Sequence, residues 1–163
     1  MFTEERNQWL QMSDEELLKI CRCDVYISTG KGGQKRNKTA SAVRLTHIPT
    51  GITGNSSESR QQTLNKHNAL RSLRINLGLE LRAPAETWEG QMDMNVKNPQ
   101  YSLFIGVLLD NLVEAKFQVS TVAEQYGVST GKMIKILAKD DMLWQAVNKE
   151  RQRLQLKPLK KGR

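Results

Sequence analysis

The chain has 163 residues and a net charge of +8, with 25 Lys or Arg against 17 Asp or Glu. That length is enough for one buried core and a smaller module, and the charge favours a polyanionic partner. No apolar run approaches the roughly 20 residues of a membrane span, and the acidic start lacks the apolar region of a signal peptide. We therefore expect a cytoplasmic protein without membrane contact.

The positive charge is concentrated in two blocks. Residues 29–82 carry ten Lys or Arg against two Asp or Glu, and residues 151–163 carry six against none. Two basic blocks around an acidic spacer favour nucleic acid over a merely solvated basic surface. The two cysteines, Cys21 and Cys23, have no pair of histidines nearby, so we expect reduced thiols, no metal site and no cofactor.

The first half of the chain predicts an α+β fold, with a small mixed sheet packed on one long helix. Ser13 and Glu16 have the capping-box spacing that starts a short helix, and Pro49-Thr50-Gly51 predicts a tight turn. We expect helices over residues 3–11, 13–20 and 58–79, and strands over residues 22–28, 42–48 and 52–55. The apolar side of the long helix is predicted to consist of Leu64, Leu70, Leu73 and Leu77.

Between the first two predicted strands lies a glycine-rich stretch that neither a helix nor a strand accommodates well. Gly30, Gly32 and Gly33 occupy three of four positions, and Gln34 follows them. Four cations surround this amide: Lys31, Lys35, Arg36 and Lys38. The spacing matches neither the phosphate loop nor the dinucleotide fingerprint. We expect a protruding loop that brings backbone N–H groups and an uncharged amide to a reactive centre surrounded by phosphates.

The second half predicts a helical module. Residues 83–100 contain Pro and Gly without periodicity and are interpreted as a linker. Residues 101–156 hold an apolar helix near 102–117, a helix-turn-helix pattern near 120–137 and a last helix near 141–156. Ser129 is the expected cap of the second helix of that pattern. The predicted domains are thus 1–82, linker 83–100, module 101–156 and a disordered basic tail 157–163.

These motifs together resemble the catalytic domain of class I peptide chain release factors. The resemblance rests on Gly30-x-Gly32-Gly33-Gln34-x-x-Asn37, on the segment from Ser41 to Ile52, and on Arg60-x-Gln62-x-x-Asn65. It covers about a third of the chain, roughly residues 22–79. Lys31, Lys35-Arg36 and Gln61 depart from the usual family residues but leave the glycines and Gln34 intact.

The resemblance implies ribosome-dependent hydrolysis of the ester between a nascent peptide and P-site tRNA. Only about 28 residues precede the loop, so we expect the short, codon-independent type that rescues stalled ribosomes. The implied partners are the peptidyl transferase centre of the large subunit with its ribosomal RNA, and the peptidyl-tRNA. We expect a monomer that docks to the ribosome or to a helper protein through residues 101–156.

The resemblance also assigns roles to residues. Gly32, Gly33 and Gln34 are the expected catalytic residues, with Gln34 acting through its backbone N–H and its amide because it cannot serve as a strong base. The two histidines, His47 and His67, are expected to be structural or to face RNA. The expected RNA contacts are Lys31, Lys35, Arg36, Lys38, Arg44 and Arg60. Gly30, Asn37, Gln62 and Asn65 are expected to support the loop and the long helix. The role of Arg60 stays open between an RNA contact and a residue that ties the long helix to the hairpin.

Two other functions stay open. One is a factor that binds the ribosome or RNA without hydrolysis. The intact glycines and Gln34 argue against it. The other is a DNA-binding regulator built on residues 120–138, whose second helix contains only Lys132 and Lys135 as cations.

Overall fold

The computed structural model describes residues 1–28 and 40–162. The chain divides into two compact units. The sheet unit is Asn7–Leu77, and the helical unit is Met1–Arg6 together with Gly78–Arg163. A small sheet and several helices give the chain the predicted α+β fold. The domain boundaries that composition and motifs predict stay a prediction.

Two short helices, α1 (Arg6–Gln11) and α2 (Asp14–Lys19), precede the sheet. The predicted capping box is confirmed, since Ser13 Oγ accepts the Glu16 N–H at 3.2 Å and the Glu16 carboxylate accepts the Ser13 N–H at 3.0 Å. The Ser13 side chain thus satisfies a helix N–H that has no partner within α2. Leu17, the next residue, is fully buried, so the capped helix directs its apolar side into the core.

The sheet consists of β1 (Cys21–Tyr26), β2 (Ala42–His47) and β3 (Thr53–Ser56) in that order. Both strand pairs are antiparallel, whereas the sequence predicted a mixed sheet. The short connection between β2 and β3 allows no other direction. It is the predicted turn, in which Gly51 has φ +74° and donates its N–H to the His47 carbonyl at 2.7 Å.

The long helix α3 (Gln62–Glu80) packs directly on β3. A Cβ on Gly54 would lie 2.7 Å from Leu73 Cα, so the two backbones approach as closely as a glycine allows. Asn76 adds a hydrogen bond from its side-chain Nδ2 to the Thr53 carbonyl at 2.8 Å. The sheet is therefore held to the helix by backbone contact at one point and by a polar tie beside it.

Helix α3 differs from its prediction in its start and in its apolar side. It begins at Gln62 rather than near residue 58. Leu70, Leu73 and Leu77 are buried as predicted, but Leu64 is 44% exposed. Six residues along a helix turn the side chain by about 120° away from the direction of Leu70, which places Leu64 outside the buried stripe.

The helical unit contains α4 (Tyr101–Glu114), α5 (Val119–Gln125), α6 (Thr130–Ala138) and α7 (Asp141–Arg153). The helix-turn-helix pattern is confirmed. Gly127 turns the chain between α5 and α6 with φ +68°, and Ser129 Oγ accepts the Lys132 N–H at 3.1 Å. Helix α4 ends before the predicted residue 117 because Lys116 and Phe117 adopt positive φ. Among the described residues, no helix is both long and apolar enough to cross a membrane.

A buried ion cluster joins distant parts of the helical unit. Both terminal nitrogens of Arg6 donate to the Asp110 carboxylate, at 2.8 and 2.7 Å, and both side chains are almost fully buried. Arg82 and the Ala83 N–H donate to the same carboxylate at 3.1 and 3.0 Å. Burial lowers the pKa of Arg82 to about 10, against the opposing influence of Asp110. Sequence reasoning missed this cluster.

The segment 157–162, where the sequence predicted a disordered tail, lies along α7. The Leu159 N–H donates to Asn148 Oδ1 at 2.7 Å, and Arg151 Nε donates to the Lys157 carbonyl at 2.9 Å. Lys161 Nζ lies 3.2 Å from an Asp141 carboxylate oxygen. These contacts use polar groups that the amphipathic pattern of α7 leaves on its outer side.

Candidate functional site

The predicted catalytic residues Gly32, Gly33 and Gln34 lie outside the described residues. The same holds for the neighbouring predicted cations and support residues, which are Gly30, Lys31, Lys35, Arg36, Asn37 and Lys38. The structure describes the strands on either side of this segment and the contacts that hold those strands. Those contacts make up the described part of the candidate site.

The two ends of the glycine-rich segment are brought together by the β1–β2 ladder. Tyr26 and Ala42 face each other as the last residue pair of that ladder. The chain leaves the sheet after Tyr26 and re-enters it at Ala42, at the same end. Two antiparallel strands thus form the base from which the segment starts and to which it returns.

Arg44 lies on the exposed side of the sheet, next to this base. Its guanidinium carbon is 5.0 Å from the centroid of the Tyr26 ring on the neighbouring strand. Asp24 faces Arg44 across the ladder and pairs with Arg22 at 3.2 Å. A cation over an aromatic face at an exposed site gains about 0.5 to 1 kcal/mol. The contact orients Arg44, and no carboxylate within residues 1–28 and 40–162 pairs with its guanidinium.

Asn65 holds the buried interior of the sheet unit next to the start of β2. Its side-chain oxygen accepts hydrogen bonds from Ser56 Oγ at 3.2 Å and from the Ser59 N–H at 3.0 Å. Its side-chain nitrogen donates to the carbonyls of Ser41 and Ser59 at 2.7 and 2.8 Å. The amide is fully buried and makes the four hydrogen bonds that an amide can make. It joins α3 and β3 to Ser41, the residue that precedes β2.

The other two residues of the Arg60-x-Gln62-x-x-Asn65 motif are at the surface. Arg60 belongs to the loop before α3, and Gln62 is the first residue of that helix. Asn65 explains the late start of α3, because its bonds to Ser59 hold the preceding loop in a non-helical path. The structure thus separates one buried residue of this motif from two exposed ones.

The two histidines have different environments. His47 is buried, with Nδ1 2.8 Å from Thr50 Oγ1 and its ring edge-on to Trp9 at a centroid distance of 4.5 Å. Its Nε2 has no hydrogen-bond partner among the described residues, and burial lowers its pKa. His67 is exposed on α3, where a ring nitrogen lies 3.2 Å from Arg71 Nη2. His47 is therefore placed as a neutral core residue.

The cysteines lie on β1. Cys21 is partly buried and Cys23 is exposed, and both are free thiols. Burial raises the pKa of Cys21, so its thiol stays protonated at neutral pH. Within residues 1–28 and 40–162, no three His, Cys, Asp or Glu side chains lie close enough to hold a metal ion.

One cation of the second helix of the helix-turn-helix module, and one just after that helix, pair with the same carboxylate. Lys132 lies 3.0 Å from an Asp93 carboxylate oxygen, and Lys139, just after α6, pairs with the other oxygen. Asp93 belongs to the segment predicted as a linker. Residues 83–150 carry nine Asp or Glu against six Lys or Arg, and this acidic balance disfavours α6 as a reader of duplex DNA.

Sequence reasoning missed the partners that surround the predicted residues. Tyr26, the ring beside Arg44, has the sequence signal of strand alternation, since it faces the same side as the residue opposite Arg44. Ser56 and Ser59, two of the three serines around Asn65, carry a weaker signal, a polar run just before the helix, and Ser41 carries none. Neither signal identifies which atoms meet, because the contacts join residues from different elements.

Comparisons with known proteins match residues 10–100, more than half of the chain, to the RF-1 domain. Peptide chain release factor 1 of Enterococcus faecalis is 37% identical over 89 residues, which cover 55% of this chain and 23% of that protein. The protein of the same name from Leptospira biflexa is 55% identical over 56 residues, with coverages of 34% and 16%. That of Streptomyces coelicolor is 48% identical over 65 residues, with coverages of 40% and 18%. The chain spans about a quarter or less of the length of these curated relatives.

Proposed function

Because the chain belongs to the RF-1 domain family of class I peptide chain release factors, we propose that it releases nascent peptides by hydrolysing peptidyl-tRNA on the ribosome. The observation that carries this proposal is the family match over residues 10–100, which includes Gly32-Gly33-Gln34. The ladder that brings Tyr26 and Ala42 together supports it, since both ends of the glycine-rich stretch are thereby connected to the same end of the sheet.

In the proposed reaction a water molecule attacks the ester carbonyl carbon. The bond from that carbon to the terminal ribose oxygen breaks, and the ribose oxygen receives the proton that the water loses. The Gln34 N–H stabilises the charge that develops on the carbonyl oxygen, and the Gln34 amide orients the water. Gly32 and Gly33 allow the backbone to approach the ester. The tRNA ribose hydroxyl and ribosomal RNA handle the proton.

We propose that the cations around this segment contact ribosomal RNA phosphates. Arg44 and Arg60 are the two in the described part of the chain, and both are exposed. The Tyr26 ring supports the assignment of Arg44, because it orients the guanidinium without neutralising it. The other proposed contacts are Lys31, Lys35, Arg36 and Lys38.

The finer part of the proposal is that release needs no stop codon, so that stalled ribosomes are the substrate. The helical unit, which follows most of the family match along the chain, is proposed to dock to the ribosome or to a helper protein. The excess of Asp and Glu over Lys and Arg in residues 83–150 supports protein or ribosome docking over binding of duplex DNA. The proposed organisation keeps a catalytic region over 1–82, a linker over 83–100, a docking module over 101–156 and a basic tail.

The test is peptide release from ribosomes stalled on truncated mRNA. Gln34→Ala is expected to abolish most release. The matched control Gln125→Ala, at an exposed position of α5, should leave release unchanged. Gly33→Ala should also lose release, because it perturbs backbone placement while leaving the Gln34 side chain present. Full release by Gly33→Ala would contradict the proposed role of the backbone.

A second experiment tests whether release depends on a stop codon. Release on truncated mRNA should equal or exceed release on mRNA with a stop codon in the A site. Release that requires the stop codon would replace the rescue proposal with codon reading. Ribosome binding without release, in either case, would favour the non-hydrolytic alternative.

A further inference from the structure

A groove on the helical unit is lined by residues that the release chemistry does not use. It has a volume of about 570 Å³ and lies between one face of α7 and the segment after it. Trp144, Asn148 and Gln152 follow each other at four-residue spacing along that face. The remaining lining residues are Gln145, Lys149 and Pro158.

The wall opposite the helix is fixed by hydrogen bonds. Asn148 uses its side-chain amide to hold both backbone groups of Leu159, accepting the N–H at 2.7 Å and donating to the carbonyl at 3.5 Å. Arg151 holds the Lys157 carbonyl at 2.9 Å. These bonds bracket Pro158, so the groove has a defined shape before any ligand binds.

The lining combines an aromatic ring with amide side chains and a lysine. Trp144 is partly exposed at the surface of α7, while Leu143 and Val147 on the other side of the helix are fully buried. Trp144 is therefore not needed to fill the core. Gln145 and Gln152 are exposed amides, which can donate to and accept from a nucleobase edge.

The positive charge around the groove favours a polyanionic ligand. Residues 149–162 carry six Lys or Arg and one acidic residue, Glu150, which pairs with Arg153 at 2.9 Å. Lys161 Nζ lies 5.7 Å from the centroid of the Trp144 ring and 3.2 Å from an Asp141 oxygen. This ion pair is exposed, so it contributes little and a phosphate can replace Asp141.

We propose that this groove binds single-stranded RNA, with a base stacked on Trp144 and the adjoining phosphate held by Lys161. An aromatic platform beside cations is the usual arrangement for sequence-tolerant binding of single strands. The proposal is independent of peptide hydrolysis, since it concerns only the helical unit.

The test uses the full chain and a fluorescently labelled oligouridine of about ten nucleotides. Binding should quench tryptophan emission, and Trp144→Leu should remove that quenching and weaken binding by about tenfold or more. Trp144→Tyr should restore much of the affinity, because it keeps a stacking surface. The matched control is Trp88→Leu, which removes the partly buried tryptophan that contacts Phe104 in the same unit and should leave RNA affinity unchanged.

The phosphate contact is tested by salt dependence. Lys161→Gln should reduce the slope of log affinity against log salt concentration by about 0.7, the value for one phosphate of a single strand. Lys97→Gln, at an exposed lysine outside the groove, should leave the slope unchanged. Equal effects of both changes would mean that only overall charge matters and would overturn the site.

Two further outcomes would overturn the proposal. One is a Trp144→Leu variant that binds the oligouridine as tightly as the wild type, since the other basic block would then account for all RNA binding. The other is a polyglutamate peptide that binds with the same dependence on Trp144, which would make the groove a site for acidic protein segments. Far-ultraviolet circular dichroism checks that each variant keeps its helices.

Discussion

Asn65 makes four hydrogen bonds inside the sheet unit, and two of them hold backbone carbonyls, those of Ser41 and Ser59. Removing its amide leaves buried acceptors without donors, which costs more than the bonds themselves contribute. We expect Asn65→Ala to lower the free energy of unfolding by about 2 to 4 kcal/mol. Urea unfolding measures this loss, with Asn55→Ala at an exposed position of β3 as the control.

The same variant probes function, because Ser41 is held just before β2 and so close to the end of the glycine-rich segment. At a temperature where Asn65→Ala is fully folded, we expect peptide release at saturating ribosomes to fall while ribosome affinity changes little. A drop in affinity with an unchanged release rate would assign Asn65 to binding instead. Stability equal to the wild type would contradict the energetic interpretation of its four bonds.

His47 makes the stability of the sheet unit depend on pH. Burial lowers its folded-state pKa, so below the unfolded-state pKa of about 6.5 the unfolded chain takes up a proton that the folded chain resists. Stability is therefore fully present above that pH and falls as the pH decreases through the window below it, by at most about 1.4 kcal/mol per pH unit. Well above pH 7 the protonation of His47 should no longer change the free energy of unfolding with pH.

Urea unfolding of wild type and His47→Gln between pH 7.5 and about pH 5 measures this contribution. The variant should lose part of the pH dependence, even if the loss of the Trp9 contact lowers its stability at every pH. His67→Gln, the same change on the exposed side of α3, is the matched control. A His47→Gln variant with the full wild-type slope would mean that carboxylates alone cause the acid sensitivity.

At the scale of the elements, two glycines of the β2–β3 hairpin act for different reasons. Gly54 has no room for a side chain, since a Cβ would meet the backbone of α3 at Ala69 and Leu73. Gly51 has free space around it but a φ of +74°. We expect Gly54→Ala to cost about 3 kcal/mol or more, because backbone must shift to admit the methyl group. Gly51→Ala should cost only about 1 to 2 kcal/mol from strain.

Thermal unfolding of Gly51→Ala and Gly54→Ala distinguishes backbone strain at position 51 from steric overlap at position 54. Gly51→Asn should recover part of the loss, because Asn tolerates a positive φ, whereas no larger residue can rescue position 54. Similar losses for Gly51→Ala and Gly54→Ala would contradict the close packing of β3 on α3.

Elements whose signals are local were predictable from the sequence. Ser13 with Glu16, the Pro49-Thr50-Gly51 turn and the Ser129 cap each depend on residues within four positions, and all three are confirmed. The start of α3 was predicted too early because the loop before it is held by Asn65, which also bonds to Ser41, 24 positions away. Composition and spacing do not report such contacts.

The residues of the candidate site also differ in how far the sequence predicted their positions. The resemblance gave Arg44 as an expected RNA contact, and the structure adds that Arg44 is exposed and that the Tyr26 ring orients it. The buried position of Asn65 did not follow, because its motif includes exposed Arg60 and Gln62 at helical spacing. The roles of Gly32, Gly33 and Gln34 stay predictions that rest on the family and on the motif.

At the scale of the whole molecule, the N-terminal residues contact residues that lie much later in the chain. Residues 1–6 belong to the helical unit, although the sheet unit follows them immediately in sequence. The Thr3 N–H donates to the Arg82 carbonyl, and the Arg82 N–H donates to the Met1 carbonyl, both at 2.7 Å. Arg6 completes this attachment by its ion pair with Asp110, 104 positions away.

Asp110→Asn is expected to destabilise the helical unit by about 3 to 5 kcal/mol, because it removes the buried negative charge that Arg6 and Arg82 share. Asp93→Asn breaks two ion pairs, but these are more than 40% exposed, so its cost should stay below about 1 kcal/mol. Urea unfolding followed by circular dichroism, which reports the helices, compares the two. Each of the two carboxylates forms two ion pairs, so a larger loss for Asp110→Asn would show that burial, and not the number of pairs, sets the cost.

The double variant Arg6→Met with Asp110→Asn keeps this prediction testable if Asp110→Asn alone fails to fold. Replacing the buried cation removes the charge that Asp110 compensates, so we expect the double variant to be more stable than Asp110→Asn. Arg82 limits the recovery, because its guanidinium also donates to Asp110 and stays partly buried. A double variant that is less stable than either single variant would show that packing of the Arg6 side chain, and not its charge, holds residues 1–6 in the helical unit.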